Sequence, residues 1–436
     1  MSRPGSLFAP TFYMIPFLLL AGGVAAWIAY KARHVPVPRR RWRRFRAPGT
    51  RDLDAPACQA LEGIYRITAG SDFFGETAVL KWTYTRNGDT VQQHLSFFCA
   101  QDGAYLVCSA RADANATLLH GYWRKLSASG TGTVRLEQRG KRWVGFYGKR
   151  NQRPGHLFSL ERTGPLPASD TFQIIAHRGG ARNVDFLPVS ENSLAMLLMA
   201  ARLGATGVEI DVRWTKDNVP VLAHDSFLAF DSVHNALFKG FIGDHTFAEL
   251  RHIRLRKGGQ VPSLREALEA VLYRTPLQVV WLDIKEPHDL AVVYDLQQEL
   301  LREAARIGRK LEVFIGIPDK EIRAKFEALP DPVSIPSLCE LDPEVAESLQ
   351  ANVWAPQYTG GPQPDAVAAQ QAQGRRVFVW SLDSPLMIRY YLGRSPFDGL
   401  VTNAAPVVAH WWYTEGFQSM SLEAPPAIDN REAAIE

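Results

Sequence analysis

Apolar and polar positions follow three different rhythms along the 436 residues of this chain. The first is a continuous apolar run: residues 12–30 carry no charge, and 11–30 spans 20 residues, about the length a helix needs to cross a hydrocarbon core. Pro16 and the Gly22-Gly23 pair would weaken a soluble helix but are tolerated in membrane spans, so a transmembrane helix is expected at 11–30. The second rhythm, over residues 57–163, consists of short alternating or aromatic-rich runs such as "AVLKWTYTR", "VQQHLSFFCA" and "RWVGFYGKR". Turn signals separate them, among others Asn87-Gly88-Asp89, Asp102-Gly103 and Arg139-Gly140-Lys141. Period-two alternation broken in this way reads as antiparallel strands, and about eight of them predict a small β domain, a barrel or a sandwich.

In the third rhythm, after residue 170, strands and helices alternate. Strand candidates lie at 173–177, 207–212, 278–283, 311–316, 332–336, 352–355, 376–381 and 397–402, with helical stretches such as 190–203, 264–273, 289–307 and 385–392 between them. Eight βα units in about 240 residues are the content of a (β/α)8, or TIM, barrel, expected over 171–415. An open doubly wound sheet would need a glycine-rich phosphate turn that is missing here. Residues 416–436 read as a flexible tail.

Charge refines the N-terminal part of this picture. Eight of the 49 Lys and Arg residues fall in 31–46, which holds no acid, so the rest of the chain carries 41 basic against 45 acidic residues. Residues 31–56 therefore read as a basic juxtamembrane linker. Only Arg3 lies on the other side of the apolar run, so the positive-inside rule places a single-pass protein with its catalytic part in the cytoplasm. The "RRRWRRFR" segment, with Trp42 and Phe45 interleaved, could also lie on anionic headgroups. The slightly acidic remainder and the absence of a base-reading motif exclude nucleic acid as a partner. Cys58, Cys99, Cys108 and Cys339 show no paired zinc spacing and are expected to be reduced and buried.

The chemistry-bearing residues sit at the ends of apolar strand candidates. His177-Arg178-Gly179 follows "QIIA", Glu209-Ile210-Asp211 follows "GV", His224-Asp225 follows "PVLA", and Asp283 ends "VVWLD". In a TIM barrel these ends converge on one mouth. Glu209 and Asp211 share a strand face and would repel each other there unless a cation intervened. Oxygen ligands favour Mg²⁺ or Ca²⁺. Two imidazoles suit proton transfer at neutral pH, while Arg178 and Lys285 suit the charge of a phosphate.

The ordered series "IIAHRGGARN", "SENSLAMLLMAARLGATGVEIDVRWTKDNVPVLAHDSFL", "VPSLREAL", "WLDIKE", "VFVWSLDS" and "FDGLVTNAAP" resembles the glycerophosphodiester phosphodiesterase family over about residues 171–412. The resemblance implies a metal-dependent hydrolase that releases sn-glycerol 3-phosphate and an alcohol from a glycerophosphodiester. It implies His177 and His224 as catalytic residues and Glu209, Asp211 and Asp283 as metal ligands, Asp283 standing where the family carries a longer Glu. Glu191 and Asn192 match the family's EN pair. Glu191 is expected near the metal or orienting a hydroxyl, and Asn192 as a hydrogen bonder to substrate or to the residues behind it, with Ser190 as a helix cap. Arg178 and Lys285 are expected to bind phosphate and Trp380 to wall the pocket. Attack by an internal glycerol hydroxyl and direct attack by water both remain open. The anchor and the "NVDFLP" loop make a membrane lysophospholipase D the second reading, with lysophospholipid as substrate. A lipid-binding pseudoenzyme tether is a third.

Overall fold

The computed structural model describes residues 42–150, 152–167, 171–228, 233 and 240–415. The helix expected at 11–30, most of the basic run and the tail at 416–436 lie outside the described residues. Among the described ones no helix is long and apolar enough to cross a membrane.

The first body is a closed eight-stranded antiparallel meander. Strands Gly63–Ala69, Thr77–Asn87, Thr90–Cys99, Tyr105–Ala112, Thr117–Lys125, Ala128–Arg139, Arg142–Tyr147 and His156–Gly164 each pair with the next, and the last pairs back with the first. The alternation decides which side chains fill it. Leu80, Phe97, Leu106, Leu136, Trp143 and Phe158 point inward and are buried together, so the barrel is a packed core. Close strand approach needs residues without a Cβ at Gly121 and Gly145, where an added carbon would lie 2.0 Å and 1.9 Å from backbone carbonyl oxygens. All four cysteines are free and buried.

Only part of the basic run is described; in it Arg43 and Arg46 are exposed, while Arg44 and Phe45 pack on the small barrel. Arg44 bridges to Asp113 (2.8 Å) and Glu137 (2.7 Å) on the small barrel. Phe45 is buried beside His120, and Arg111 donates to its carbonyl oxygen. Phe45 is therefore not available to headgroups as part of the "RRRWRRFR" segment, since an apolar ring next to a barrel wall gains more from burial than from exposure.

The second body is a parallel barrel. Gln173–Ala176, Gly207–Trp214, Val279–Ile284, Glu312–Ile317, Ser337–Cys339, Val353–Trp354, Arg376–Val379 and Gly399–Thr402 pair in that order, and the last closes on the first. Three sequence expectations shift. The fifth strand is Ser337–Cys339, not 332–336, because Pro332 starts a 3₁₀ turn over Pro332–Ser334, a position its fixed φ suits. The first barrel helix, Leu194–Ala200, is capped by Ser193, whose side chain accepts from Met196 N. Ser190 instead donates to Gly258 O and accepts from Lys257 N. Leu222 precedes His224 in a short strand, Pro220–Leu222, that folds back antiparallel on Gly207–Trp214 outside the barrel order.

The two bodies share one core. Val79, Phe98, Tyr105 and Val107 on the outer wall of the small barrel pack with Ala200, Leu203, Val408 and Ala409 of the catalytic barrel. Helix Ala405–Glu415 lies at this seam: His410 Nδ1 donates to Phe98 O (3.0 Å), and Lys81 Nζ donates to Tyr413 OH (2.9 Å). Gly204 (φ +93°) permits the closest approach, since a Cβ there would lie 2.7 Å from Ala409 Cβ and 2.9 Å from the Phe98 ring.

Candidate active site

The turn His177–Gly179 ends the first parallel strand, and Arg178 adopts φ 51° within it. That conformation, uncommon for a residue with a Cβ, aims the Arg178 N–H at Glu209 Oε2 (2.7 Å). Gly179, at φ +79°, takes the left-handed conformation the turn needs, and a Cβ at Gly180 would crowd the Met196 side chain, 2.3 Å from its sulfur.

Glu209, Asp211 and Asp283 come together as their strands predict. Asp211 pairs directly with Asp283 in the register, and oxygens of the three carboxylates lie within 4.8 Å of one another. Lys285 Nζ stands 2.5 Å from Asp283 Oδ2 and 2.9 Å from Asp211 Oδ1. Burial, aided by Asp211 and Asp283, pushes Glu209 well above the usual carboxylate range. Burial likewise raises Asp283 against the pull of Lys285. Asp211 feels the same burial, yet Lys285, His224, Arg178 and His177 outweigh it and hold the group low.

The cluster thus has more carboxylate than Lys285 can neutralise. Glu209 Oε1 is buried without a hydrogen bond, and so is Asp211 Oδ1, which Lys285 approaches outside hydrogen-bonding geometry. Orphaned buried oxygens converging in an all-oxygen set are a fit for a hard divalent cation.

His177 is defined by what stands behind it. Its Nδ1 lies 3.0 Å from Asn403 Oδ1. Asn403 in turn donates through Nδ2 to Asp383 Oδ2 and through its backbone N to Asp383 Oδ1, both at 2.7 Å. A carboxylate accepts and never donates, so Asp383 fixes which end of the amide faces His177. Asn403 Oδ1 can only accept, and the proton must therefore sit on His177 Nδ1. The opposite nitrogen, Nε2, presents its lone pair 3.9 Å from Glu209 Oε2. Burial and Arg178 hold His177 down at about 4 despite Asp211 and Asp383, leaving the ring neutral at physiological pH.

The other expected residues take these places. Asn192 is buried, donating through Nδ2 to Asp211 Oδ2 (2.5 Å) and accepting from Asp211 N (3.2 Å). Its amide is committed to orienting Asp211 and not to the open mouth. Glu191 stands apart from the three clustered carboxylates, accepting from Asn183 N (2.6 Å) and facing Arg178 Nη1 at 3.4 Å. Burial raises its pKa. His224 is half-buried with Nδ1 on Asp225 Oδ1 (2.8 Å), and Arg213 Nε donates to its carbonyl oxygen. Trp380 packs on the apolar layer inside the barrel and donates from Nε1 to Ala355 O (2.8 Å).

Three groups at the mouth escaped the sequence reading. Asn403 and Asp383 lie in "VTNAAP" and "WSLDS", but nothing in either segment announces that one holds the other. Glu340 follows the displaced fifth strand. Burial and the adjacent Asp283 push it well above the carboxylate range, and its Oε1 is also without a partner. Placing that strand five residues later would have put Glu340 at a strand end.

The sequence model of the "Glycerophosphoryl diester phosphodiesterase family" matches residues 177–406. Over 291 residues the chain is 28% identical to "Glycerophosphodiester phosphodiesterase 1" of Rattus norvegicus, covering 61% of this chain and 77% of that protein. A glycerophosphodiester phosphodiesterase structure from Agrobacterium tumefaciens aligns with TM-score 0.44 and 22% identity, over 55% of this chain and 97% of that one. An Oleispira antarctica phosphodiesterase, solved with the product sn-glycerol-3-phosphate, aligns with TM-score 0.41 and 21% identity, over 56% of this chain and 95% of that one.

Proposed function

This chain belongs to the glycerophosphoryl diester phosphodiesterase family, and from that premise we propose that its barrel mouth hydrolyses glycerophosphodiesters to sn-glycerol 3-phosphate and an alcohol. The observation that carries the mechanism is the chain His177–Asn403–Asp383, which leaves a neutral imidazole with its lone pair at the mouth. His177 Nε2 takes the proton of the attacking oxygen, which is either water, giving sn-glycerol 3-phosphate directly, or a glycerol hydroxyl, giving a cyclic phosphate that a water molecule then opens to the same product. His224, fixed by Asp225, gives a proton to the departing alkoxide as the P–O bond breaks. Arg178 and Lys285 oppose the negative charge that grows on the phosphoryl oxygens. Glu209, Asp211 and Asp283 would hold a divalent cation, Mg²⁺ or Ca²⁺, whose charge lowers the pKa of a bound hydroxyl. Asn192 keeps Asp211 turned toward that position, Glu191 steadies Arg178, and Trp380 floors the pocket.

The test is turnover of glycerophosphocholine by the full chain with and without divalent ions, alongside Glu209→Gln, Asp211→Asn and Asp283→Asn. Each variant should lose activity while remaining folded, and a chelator should reversibly do the same to the unaltered protein. Equal activity in EDTA and in Mg²⁺ or Ca²⁺ would remove the cation from the mechanism.

A lysophospholipase D is the second reading. It is favoured by Val184 and Phe186, which stand 76% and 42% exposed in the loop that follows the HRG turn. Leu187, in the same loop, is buried in the core and is not a lipid contact. The intact acid–base set speaks against a pseudoenzyme tether. For the N-terminal part we propose a single-pass anchor at 11–30 with the catalytic part cytoplasmic. Reporters fused after residue 50 and at residue 1 should report opposite sides, and a reporter after residue 50 on the outside would reverse the assignment.

A further inference from the structure

The strands Ala128–Arg139, Arg142–Tyr147 and His156–Gly164 turn one face toward the packed core of the small barrel and the other outward. On the outward face the register sets Arg135 beside Phe146 and Phe146 beside Leu157. Phe146 and Leu157 remain 47% and 52% exposed, so two large apolar side chains lie together in the open. We propose that this face docks on an anionic phospholipid bilayer, with Phe146 and Leu157 entering the headgroup layer and the surrounding arginines meeting lipid phosphates; the proposal goes beyond the hydrolytic reading and stands without it.

Three observations carry it. The first is charge. From residue 135 to residue 157 seven residues are basic and one, Glu137, is acidic, and Glu137 is already bridged to Arg44 (2.7 Å). The chain outside 31–46 is slightly acidic as a whole, so this excess is local to the face. Basic groups around an apolar centre match an anionic interface, where cations meet phosphates while apolar side chains sink past the headgroups. The second is shape. A groove of about 760 Å³ crosses the face, with Trp42, Arg135, Arg139, Phe146 and Arg153 among its lining, and the Arg135 guanidinium lies 5.9 Å from the centre of the Trp42 ring. Tryptophan is at home at headgroup level. The third is the path of the chain. Eleven residues, 31–41, separate Trp42 from the end of the apolar run at 11–30. Fully extended they reach at most about 40 Å, so an anchor at 11–30 would hold this groove close to the bilayer.

A nucleic acid or an acidic protein would answer the charge alone. A lipid surface answers the charge, the uncovered Phe146 and Leu157, and the apolar run upstream of Trp42 together. The small barrel thereby acquires a role. Arg44 and Phe45 are committed to holding the N-terminal segment on the barrel wall, and contact with headgroups passes to the strands. Tether and face are two points of attachment, and the second fixes how the molecule stands on the membrane.

The experiment uses the full chain in phosphatidylcholine vesicles with and without phosphatidylglycerol, carrying a fluorophore on Gln152→Cys. Gln152 is exposed in the connection between Arg142–Tyr147 and His156–Gly164, and the native cysteines are buried away from the label. Brominated lipid should quench the label about twofold or more with phosphatidylglycerol present, little without it, and less as salt is raised. A label on Asp89→Cys, in the hairpin across the closed barrel, should stay unquenched in both. Arg139→Glu with Arg153→Glu should abolish quenching at position 152, and so should Phe146→Ser with Leu157→Ser. All four side chains are exposed, so urea denaturation and glycerophosphocholine turnover should change little. A label at position 152 that stays unquenched while the protein floats with anionic vesicles overturns the docking face. So does quenching that is equal in neutral vesicles, equal at position 89, or untouched by both pairs of substitutions. Protein that fails to float with anionic vesicles overturns the face and the anchor together, and leaves the hydrolytic reading to its own assay.

Discussion

Asp383 does not reach the reacting atoms, yet it decides which nitrogen of His177 carries the proton. Asp383→Asn keeps the shape but supplies a donor as well as an acceptor, so Asn403 is free to turn and offer its NH₂ to Nδ1. The expected result is a fall in kcat of about 10²–10⁴, the usual worth of a general base, with KM nearly unchanged and the stability of the fold retained. Nitrogen chemical shifts of His177 should report the change of tautomer, and unchanged shifts would show that Asp383 has no part in it. At this scale the sequence reached the groups whose type and spacing carry chemistry. His177, Glu209, Asp211 and Asp283 stand at ends of apolar runs, and strand ends share a mouth. Asn403 and Asp383 were illegible because their meaning lies in a bond between segments that no periodicity links.

At the scale of elements, the strand rhythm of the small barrel was readable run by run, since half-buried strands alternate cleanly. The catalytic barrel was readable where Val, Ile and Leu run together, and misread where proline intervened. Pro332 and Pro336 gave the fifth strand an extended look, but a residue without an N–H can set a 3₁₀ turn and cannot donate to a ladder. Glu340 was lost with that strand. The loop after the HRG turn shows the same limit in a testable form. In "NVDFLP" the adjacent Phe186 and Leu187 read alike as apolar, although Phe186 faces outward and Leu187 inward. Leu187→Ser should therefore destabilise the protein by about 2–5 kcal/mol, as for other large core deletions, while Phe186→Ser should leave urea denaturation within about 0.5 kcal/mol of the unaltered chain.

For the whole molecule, the seam between the barrels adds its own response to pH, apart from that of the catalytic mouth. His410 is held at about 4 by burial, and His94, bonded to Thr85 on the same wall, at about 3 by burial and Arg202. Both rings are neutral in the fold, while an unfolded chain protonates them below about 6.5. The unfolded state then binds more protons at these two sites, so their contribution to stability should be constant above pH 6.5 and fall between pH 6.5 and about 3, by an amount on the order of a few kcal/mol. Thermal melting between pH 7.5 and 5 checks the sign, and His410→Gln should flatten the slope. A slope indifferent to that substitution would place the acid sensitivity elsewhere. Neither histidine was conspicuous in the sequence, because their burial is created by packing of one barrel on the other.

The helix Ala405–Glu415 that covers the outer wall of the small barrel leaves the ribosome long after that barrel does. The eighth strand of that barrel ends at Gly164, and its cover begins at Ala405. At about 5–20 residues per second, the roughly 240 residues between them take on the order of 12–50 s to make. For that interval Val79, Phe98 and Val107 belong to a finished barrel with an unfinished surface. Nascent chains arrested near residue 400 should be held by chaperones or aggregate, while chains arrested late enough to free residue 415 should not. Early arrests that stay soluble without such help would mean that the wall finds another cover while it waits.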